Sequence, residues 1–250
     1  MMEANMKIRL LSYNIQHCRD YLRSKKEGRE ILDFDLIAGA IKSQNADVAV
    51  LNEVRGEGSH PDYLDQTKIL AENAGFGYYR FGEAIKLPPD LPYGNALLSK
   101  HPIAEFEVIK IPDPPVKDEN AYYESRCIMR ARIKIGEKEL TVFGSHFGLA
   151  RSEQKNAVTA AVELLDGCDT PHVLMGDFNM EPNNEKLLPI YERMVDTAEF
   201  FGEVKYSFPS DNPTRKIDYI FVSLDLKVLF ADIPCIVASD HRMVVADIEL

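Results

Sequence analysis

Five apolar runs in this chain are each bordered by a polar group that packing does not call for. Leu11-Ser12-Tyr13 ends in Asn14, and Val48-Ala49-Val50-Leu51-Asn52 ends in Glu53. Val142-Phe143-Gly144-Ser145 ends in His146, and Val173-Leu174-Met175-Gly176 ends in Asp177, with Asn179 two residues on. Near the end of the sequence Asp240 and His241 stand side by side just before Met243-Val244-Val245. One polar residue at the end of a run reads as a turn residue. Acids, amides and imidazoles at five such places suit a hydrolytic site around a hard cation. They can meet only if the fold brings distant strand ends together.

The spacing of Asp177 and Asn179 carries chemistry of its own. In extended backbone both side chains point to one side, and Phe178 points away into packing. An acid that takes a proton from water, beside an amide that holds a phosphate oxygen, suits in-line attack. The same pair can also be read as an Asx-turn.

These residues need a scaffold of strand ends. Strands are expected over residues 7–14, 47–52, 95–99, 128–135, 139–145, 172–176, 217–222, 226–230 and 243–249. Helical spacing of Phe34, Leu36, Ile37, Ala40 and Ile41 predicts a helix over 33–45. A second is expected over 62–74, closed by Gly75, and a third over 152–166 with Ser152 as its N-cap. Gly136-Glu137-Lys138 suits a hairpin turn, and His101-Pro102 turns the chain after a strand. Strands outnumber helices, which predicts packed sheets covered by helices, not one doubly wound sheet. No linker divides the sequence, so residues 1–250 read as one domain.

Composition limits the partners. Of 250 residues 45% are hydrophobic, enough for a sizeable core, and no apolar run approaches the ~18 residues of a membrane span. Residues Met1 to Arg9 show no signal-peptide pattern. Cys18, Cys127, Cys168 and Cys235 are scattered, with no Cys-x-x-Cys pair, which suggests neither zinc nor a disulfide framework. A reduced, cytoplasmic protein is the simplest expectation, although a chain that had lost a leader would look the same. The net charge of −11 opposes the basic footprint of proteins that grip long nucleic acid. Arg19, Arg23, Lys25, Lys26 and Arg29 form a local exception. They read either as a solvated loop or as a lip that attracts an anionic substrate.

The motifs taken together resemble the endonuclease/exonuclease/phosphatase superfamily of metal-dependent phosphoesterases. The matching pieces are Ser12-Tyr13-Asn14-Ile15, Leu51-Asn52-Glu53-Val54, Gly94-Asn95-Ala96-Leu97-Leu98-Ser99-Lys100, Ser145-His146-Phe147, Gly176-Asp177-Phe178-Asn179, Ile217-Asp218-Tyr219-Ile220 and Ser239-Asp240-His241, in the family's order. The resemblance implies a DNase I-like α+β fold, a four-layer αββα sandwich of two mixed sheets with the site at one end. It implies Mg²⁺, with Mn²⁺ as a substitute, held by Glu53, Asn14 and Asp240. It assigns catalytic roles to His146, Asp177, Asn179 and His241, with Asp218 orienting His241. It leaves open whether Asp177 or His241 is the general base. It also suggests that Arg126 and Asn95 contact substrate. Gln16 departs from the acid that abasic-site endonucleases carry two residues after the asparagine, which favours one tightly held ion.

Three functions compete. A Mg²⁺-dependent phosphodiesterase or phosphatase acting as a monomer on a small or locally gripped ester leads, and extended duplex DNA is disfavoured. A DNA or RNA nuclease would use the same site. A non-catalytic binding module would have lost the catalytic residues, and here they are present. The loops at 17–30, 56–62, 86–93, 111–123 and 203–215 would decide among substrates.

Overall fold

The alternation in β1 (Lys7–Asn14) sends Ile8 and Leu10 to one face and Leu11 and Tyr13 to the other. All four are buried, so this strand must be covered on both sides. The computed structural model, which describes residues 6–61 and 63–250, shows what covers it.

Eleven further strands follow among the described residues: β2 (Val48–Arg55), β3 (Tyr78–Leu87), β4 (Leu91–Ser99), β5 (Ile103–Lys110), β6 (Cys127–Ile135), β7 (Lys138–His146), β8 (His172–Asp177), β9 (Met194–Asp196), β10 (Asp218–Ser223), β11 (Lys227–Asp232) and β12 (Val244–Glu249). They form two six-stranded sheets, ordered β11-β12-β1-β2-β4-β3 and β5-β6-β7-β8-β10-β9. Each sheet is mixed: β1 with β2 and β7 with β8 are parallel, and the other pairs are antiparallel.

The helices are α1 (Tyr21–Glu27), α2 (Phe34–Ser43), α3 (Gln66–Ala74), α4 (Arg151–Asp166) and α5 (Leu188–Tyr191). Three apolar clusters define the layers. Ile8, Leu10, Val48, Val50, Val142, Val173, Met175, Ile220 and Val244 pack between the sheets. Leu11, Tyr13 and Leu51 pack under Ile37 and Ile41 of α2 and Leu70 of α3. Phe143 and Leu174 pack under Ala157 and Leu165 of α4 and Ile190 of α5. The result is the expected four-layer αββα sandwich. No helix among the described residues is long and apolar enough to cross a membrane.

Local signals explain several boundaries and correct others. The Asp33 carboxylate accepts the Leu36 N–H at 2.8 Å and starts α2. The helix expected over 62–74 begins at Gln66, because Asp65 accepts the Lys68 N–H at 3.0 Å; Asp62 lies outside the described residues. Gly75, at φ 87°, closes it as expected. Ser152 does not cap α4. The helix starts one residue earlier, with Ala150 at the cap and its N–H donating to Glu153 Oε2 at 3.3 Å. The Ser152 N–H and hydroxyl both bond Asp118 Oδ2 at 3.0 Å instead. The strand expected at 95–99 extends back to Leu91 and pairs with β3, which the sequence reading lacked together with β5 and β9.

Candidate active site

The face that packs the two sheets together also makes the site. Along β1, positions 8 and 10 point into the space between sheets, and the same alternation carries Asn14 there. In β2 the series Val48, Val50 continues to Asn52; in β8 Val173, Met175 continues to Asp177; in β10 Ile220 and Val222 lead back to Asp218. His146 ends the corresponding series in β7. Register then brings these ends level, with Asn14 beside Asn52, His146 beside Asp177 and Asp177 beside Asp218. The apolar inter-sheet core thus becomes polar at its last rung, where the sandwich opens.

Asp177 Oδ2 is the meeting point. It accepts Asn14 Nδ2 at 3.0 Å and lies 3.5 Å from His146 Nε2 and 3.7 Å from His241 Nε2. Asn52 bridges the sheets behind it: its Oδ1 accepts the Asp177 N–H at 2.8 Å, and its Nδ2 donates to the Ser145 carbonyl at 3.1 Å. Burial raises the Asp177 carboxyl well above the usual range, nearby Asp218 adds to this, and His241 opposes it. Burial would discharge His241, but Asp218, Asp177 and Asp240 outweigh it and raise the imidazole to about 10. His146 is shifted the other way, well below the ordinary histidine value, by burial, by Arg126 and by His241.

Asn179 reaches the site by a route the sequence reading did not foresee. Its backbone is not extended but left-handed, with φ 51°, and its N–H donates to Asp177 Oδ1 at 2.9 Å. The Asx-turn is the reading that forms, not the extended pair, and the turn places the Asn179 amide on the cleft wall. Phe178 is buried as expected, stacked on Phe147 at 4.3 Å between ring centroids. Glu53 is likewise left-handed, at φ 58° in a bulge of β2. Gln16, His17 and Cys18 follow β1 with positive φ as well. The other described non-glycine residues with positive φ are Asn45 and Asn120. Backbone in this region costs energy and concentrates at sites that need a particular side-chain direction.

Glu53 is held on both oxygens, by Asn14 Nδ2 at 3.0 Å and by the Tyr93 hydroxyl at 3.0 Å. An open cleft of about 290 Å³ is lined by Glu53, Tyr93, Tyr122, Glu124, Arg126, His146, Leu149, Asp177, Asn179, Phe208, Asp240 and His241. Seven of the ten residues singled out in the sequence are therefore on its wall.

A family model, the Endonuclease/Exonuclease/phosphatase family, matches residues 11–241. The chain belongs to the endonuclease/exonuclease/phosphatase family. Solved structures agree in fold. An endonuclease/exonuclease/phosphatase from Beutenbergia cavernae DSM 12333 is 24% identical, with TM-score 0.77 over 98% of this chain and 72% of that one. The mannosyl-6-phosphatase of Bacteroides thetaiotaomicron VPI-5482 is 18% identical, with TM-score 0.74 over 96% and 99%. The human Nocturnin catalytic domain, solved with a bound sulfate anion, is 18% identical, with TM-score 0.69 over 97% and 93%. A sequence comparison with curated proteins finds no match.

Within this family member the remaining candidates fall into two groups. Asn14 and Asp218 support the cleft wall from behind. The Asn14 amide nitrogen bridges Glu53 and Asp177, while its Oδ1 accepts the Gln16 N–H at 3.1 Å. Asp218 Oδ2 contacts His241 Nδ1 at 2.8 Å. Asn95 is not brought to the cleft: it is buried, with Oδ1 accepting Asn52 Nδ2 at 2.8 Å. Arg126 does line the cleft, yet one of its nitrogens is already engaged by Glu124 Oε1 at 3.0 Å and His146 Nδ1 at 3.1 Å.

The sequence reading missed Asn52, Tyr93 and Glu124. Asn52 stands in Leu51-Asn52-Glu53-Val54 directly before the ligand candidate Glu53, and its sheet-bridging geometry has no local signature. Tyr93 immediately precedes Gly94-Asn95, and Glu124 stands two residues before Arg126 in a stretch without periodicity.

Oxygen donors suited to a hard cation are present. The Glu53 and Asp240 carboxylates share the cleft, and the proximity of Glu53 helps burial to raise Asp240. Gln16 Oε1 is buried without a hydrogen-bond partner among the described residues. A second group that could hold a metal is Asp177, Asp218 and His241, whose ligand atoms all lie within 4.8 Å of one another. Of those three, Asp218 and His241 already bond each other at 2.8 Å and all are buried, whereas Glu53 and Asp240 are only partly buried on the cleft wall.

Proposed function

We propose that this chain is a divalent-cation-dependent hydrolase of a small phosphate ester, with Mg²⁺ as its ion and Mn²⁺ as a substitute. The observation that carries the reading is the convergence on Asp177 Oδ2 of Asn14, His146 and His241, at 3.0, 3.5 and 3.7 Å, beside Glu53 at an open mouth. Glu53 and Asp240, with Asn14 Oδ1 and its remaining lone pair, would hold the ion. When bound, it supplies charge neutralisation and polarisation of the phosphoryl oxygen.

The chain's own residues supply the rest. Asp177 accepts the proton of the attacking water, since its Oδ2 alone is within reach of both imidazoles. His241, backed by Asp218, donates from Nε2 to charge developing on the phosphoryl oxygens. Asn179 and His146 hold a further phosphate oxygen. Water attacks phosphorus directly, so no covalent enzyme intermediate forms; the P–O bond to the leaving group breaks, and the leaving oxygen takes its proton from solvent at the open mouth of the cleft.

A small ester is favoured over long duplex DNA by the net charge of −11. Three of the five basic residues after β1 are partly neutralised. Arg23 pairs with Glu27 at 3.0 Å, Arg29 with Glu27 at 2.7 Å and Lys25 with Asp211 at 2.8 Å. That a mannosyl-6-phosphatase shares the fold points the same way. The test is a screen of small phosphomonoesters, phosphodiesters, lipid esters and nucleic acids with Mg²⁺, Mn²⁺ and EDTA. The expected result is turnover of a small ester that requires the ion. Folded protein that hydrolyses none of these substrates with either ion would overturn the reading.

A further inference from the structure

His146 and His241 approach the same Asp177 oxygen, but their second nitrogens meet groups of opposite charge. His241 Nδ1 faces a carboxylate, Asp218 Oδ2, at 2.8 Å. His146 Nδ1 faces a guanidinium, Arg126 NH1, at 3.1 Å. A guanidinium has donors only. Its hydrogen bond therefore needs the bare lone pair of Nδ1, and the proton of His146 must sit on Nε2. Nε2 in turn faces Asp177 Oδ2.

We propose that Arg126 and Glu124 are positioning residues that fix His146 with its proton on Nε2, so that the two imidazoles of the cleft are chemically unequal. His241, backed by a carboxylate, is the charged donor. His146, backed by a cation, is a directed neutral donor to a phosphate oxygen and does not supply a proton to the leaving group.

Three observations support this chain of contacts. Arg126 is itself held by charge: NH1 forms an ion pair with Glu124 Oε1 at 3.0 Å, and the side chain is only 9% exposed. Glu124 is fixed in turn, its Oε2 accepting the Tyr122 hydroxyl at 3.0 Å. On the other side, Asn179 Nδ2 lies 3.1 Å from His146 Nε2, but it has an acceptor of its own in the Phe147 carbonyl at 3.0 Å. A neutral amide with another partner yields to a full positive charge in deciding which nitrogen keeps its proton. The shift of His146 below the ordinary histidine value has the same direction.

The kinetic consequence rests on the hydrolase reading; the tautomer does not. The test is therefore double. Nitrogen NMR of ¹⁵N-histidine-labelled protein, with His146 assigned by its loss in His146→Gln, reports which ring nitrogen bears the proton. At pH 7 the expected result is a bare Nδ1 and a protonated Nε2, lost or mixed in Arg126→Gln and partly kept in Arg126→Lys. On a substrate that is turned over, Arg126→Gln should lower kcat about tenfold or more with KM changed less than about threefold. A protonated Nδ1 in the unmodified protein overturns the proposal, whatever the variants do. So does a tautomer unchanged in Arg126→Gln, or a rise in KM alone, which would make Arg126 a simple phosphate ligand. Failure to turn over any ester would count against the hydrolase reading and leave the NMR result to decide the tautomer.

Discussion

Asp218 Oδ2 accepts the Nδ1–H of His241 at 2.8 Å, and both side chains are almost fully buried. The pair spans the two sheets, since Asp218 opens β10 and His241 lies just before β12. If Asp218 acts only by orienting and charging His241, the two residues form one unit. His241→Ala should cut kcat by roughly a hundredfold or more, and Asp218→Asn by at least about tenfold. The double variant should be little worse than His241→Ala alone. Strictly multiplicative losses would give Asp218 a separate task. Asp177→Asn, the replacement of the proposed base, should cost at least about a hundredfold, and a near-normal kcat there would remove its role.

Much of this site was legible because it is made of strand ends. Asn14, Glu53, His146 and Asp177 each follow an apolar run, and the period of two that builds the inter-sheet core also aims Asn14, His146 and Asp177 at the mouth. Where the backbone leaves that period, the sequence is silent. The left-handed turns at Glu53 and Asn179 set side-chain directions that no propensity announces. Asn95 shares a motif with residues that flank the site, yet it faces Asn52, its partner on the neighbouring strand, and the interior, because which strands pair and in what register is not written in local spacing. The missed strands β3 and β5 are edge strands. Most of their positions are only half-buried or exposed, so polar residues such as Arg80, Glu105 and Glu107 interrupt the apolar signal that marked the central strands.

Cation dependence follows from the Glu53 carboxylate. Chelation by EDTA should abolish turnover, and added Mg²⁺ or Mn²⁺ should restore it. Glu53→Gln should shift the cation titration to at least about tenfold higher concentration, since an amide is a weaker ligand for a hard ion. Tyr93→Phe removes only the hydroxyl that holds Glu53 Oε2 at 3.0 Å and should shift the same titration less. An unchanged titration in Glu53→Gln would place the ion elsewhere, with Asp177, Asp218 and His241 as the next group to test.

A pH-dependent reactivity is expected at Cys168, in the connection from α4 to β8, at the end of β8 remote from Asp177. Burial alone would raise this thiol, but hydrogen bonds from His172 and Thr170 overcome it and bring it down to about 6. The thiolate is the reactive form, so a lowered value means that alkylation should already be fast at neutral pH. Iodoacetamide labelling followed by mass spectrometry should show Cys168 half-maximally reactive near pH 6. His172→Gln should move that midpoint upward by at least about one pH unit. Buried Cys18 and Cys127 serve as unreactive references. A Cys168 profile that rises only above about pH 8, where an ordinary thiol ionises, would refute the expectation.

Salt dependence separates a small-ester hydrolase from a duplex nuclease. Binding that neutralises Z phosphates on B-DNA weakens with salt at a log–log slope of about −0.9Z. This cleft offers Arg126, already engaged by Glu124 and His146, and two imidazoles, among the carboxylates Glu53, Glu124, Asp177 and Asp240. Such a wall can engage few phosphates at once, so kcat/KM should change with salt at a slope no steeper than about −2, equivalent to two phosphates. The region that could defeat this is the basic segment from Arg19 to Arg29. Its pairs with Glu27 and Asp211 are exposed, and exposed pairs of this kind are weak enough for a polyanion to displace. Replacing Arg23, Lys25 and Lys26 by glutamine should leave small-ester turnover within about twofold and have no large effect on the slope. Efficient duplex cleavage with a steep slope, flattened by those replacements, would show that the segment tracks a nucleic-acid backbone and would make the enzyme a nuclease.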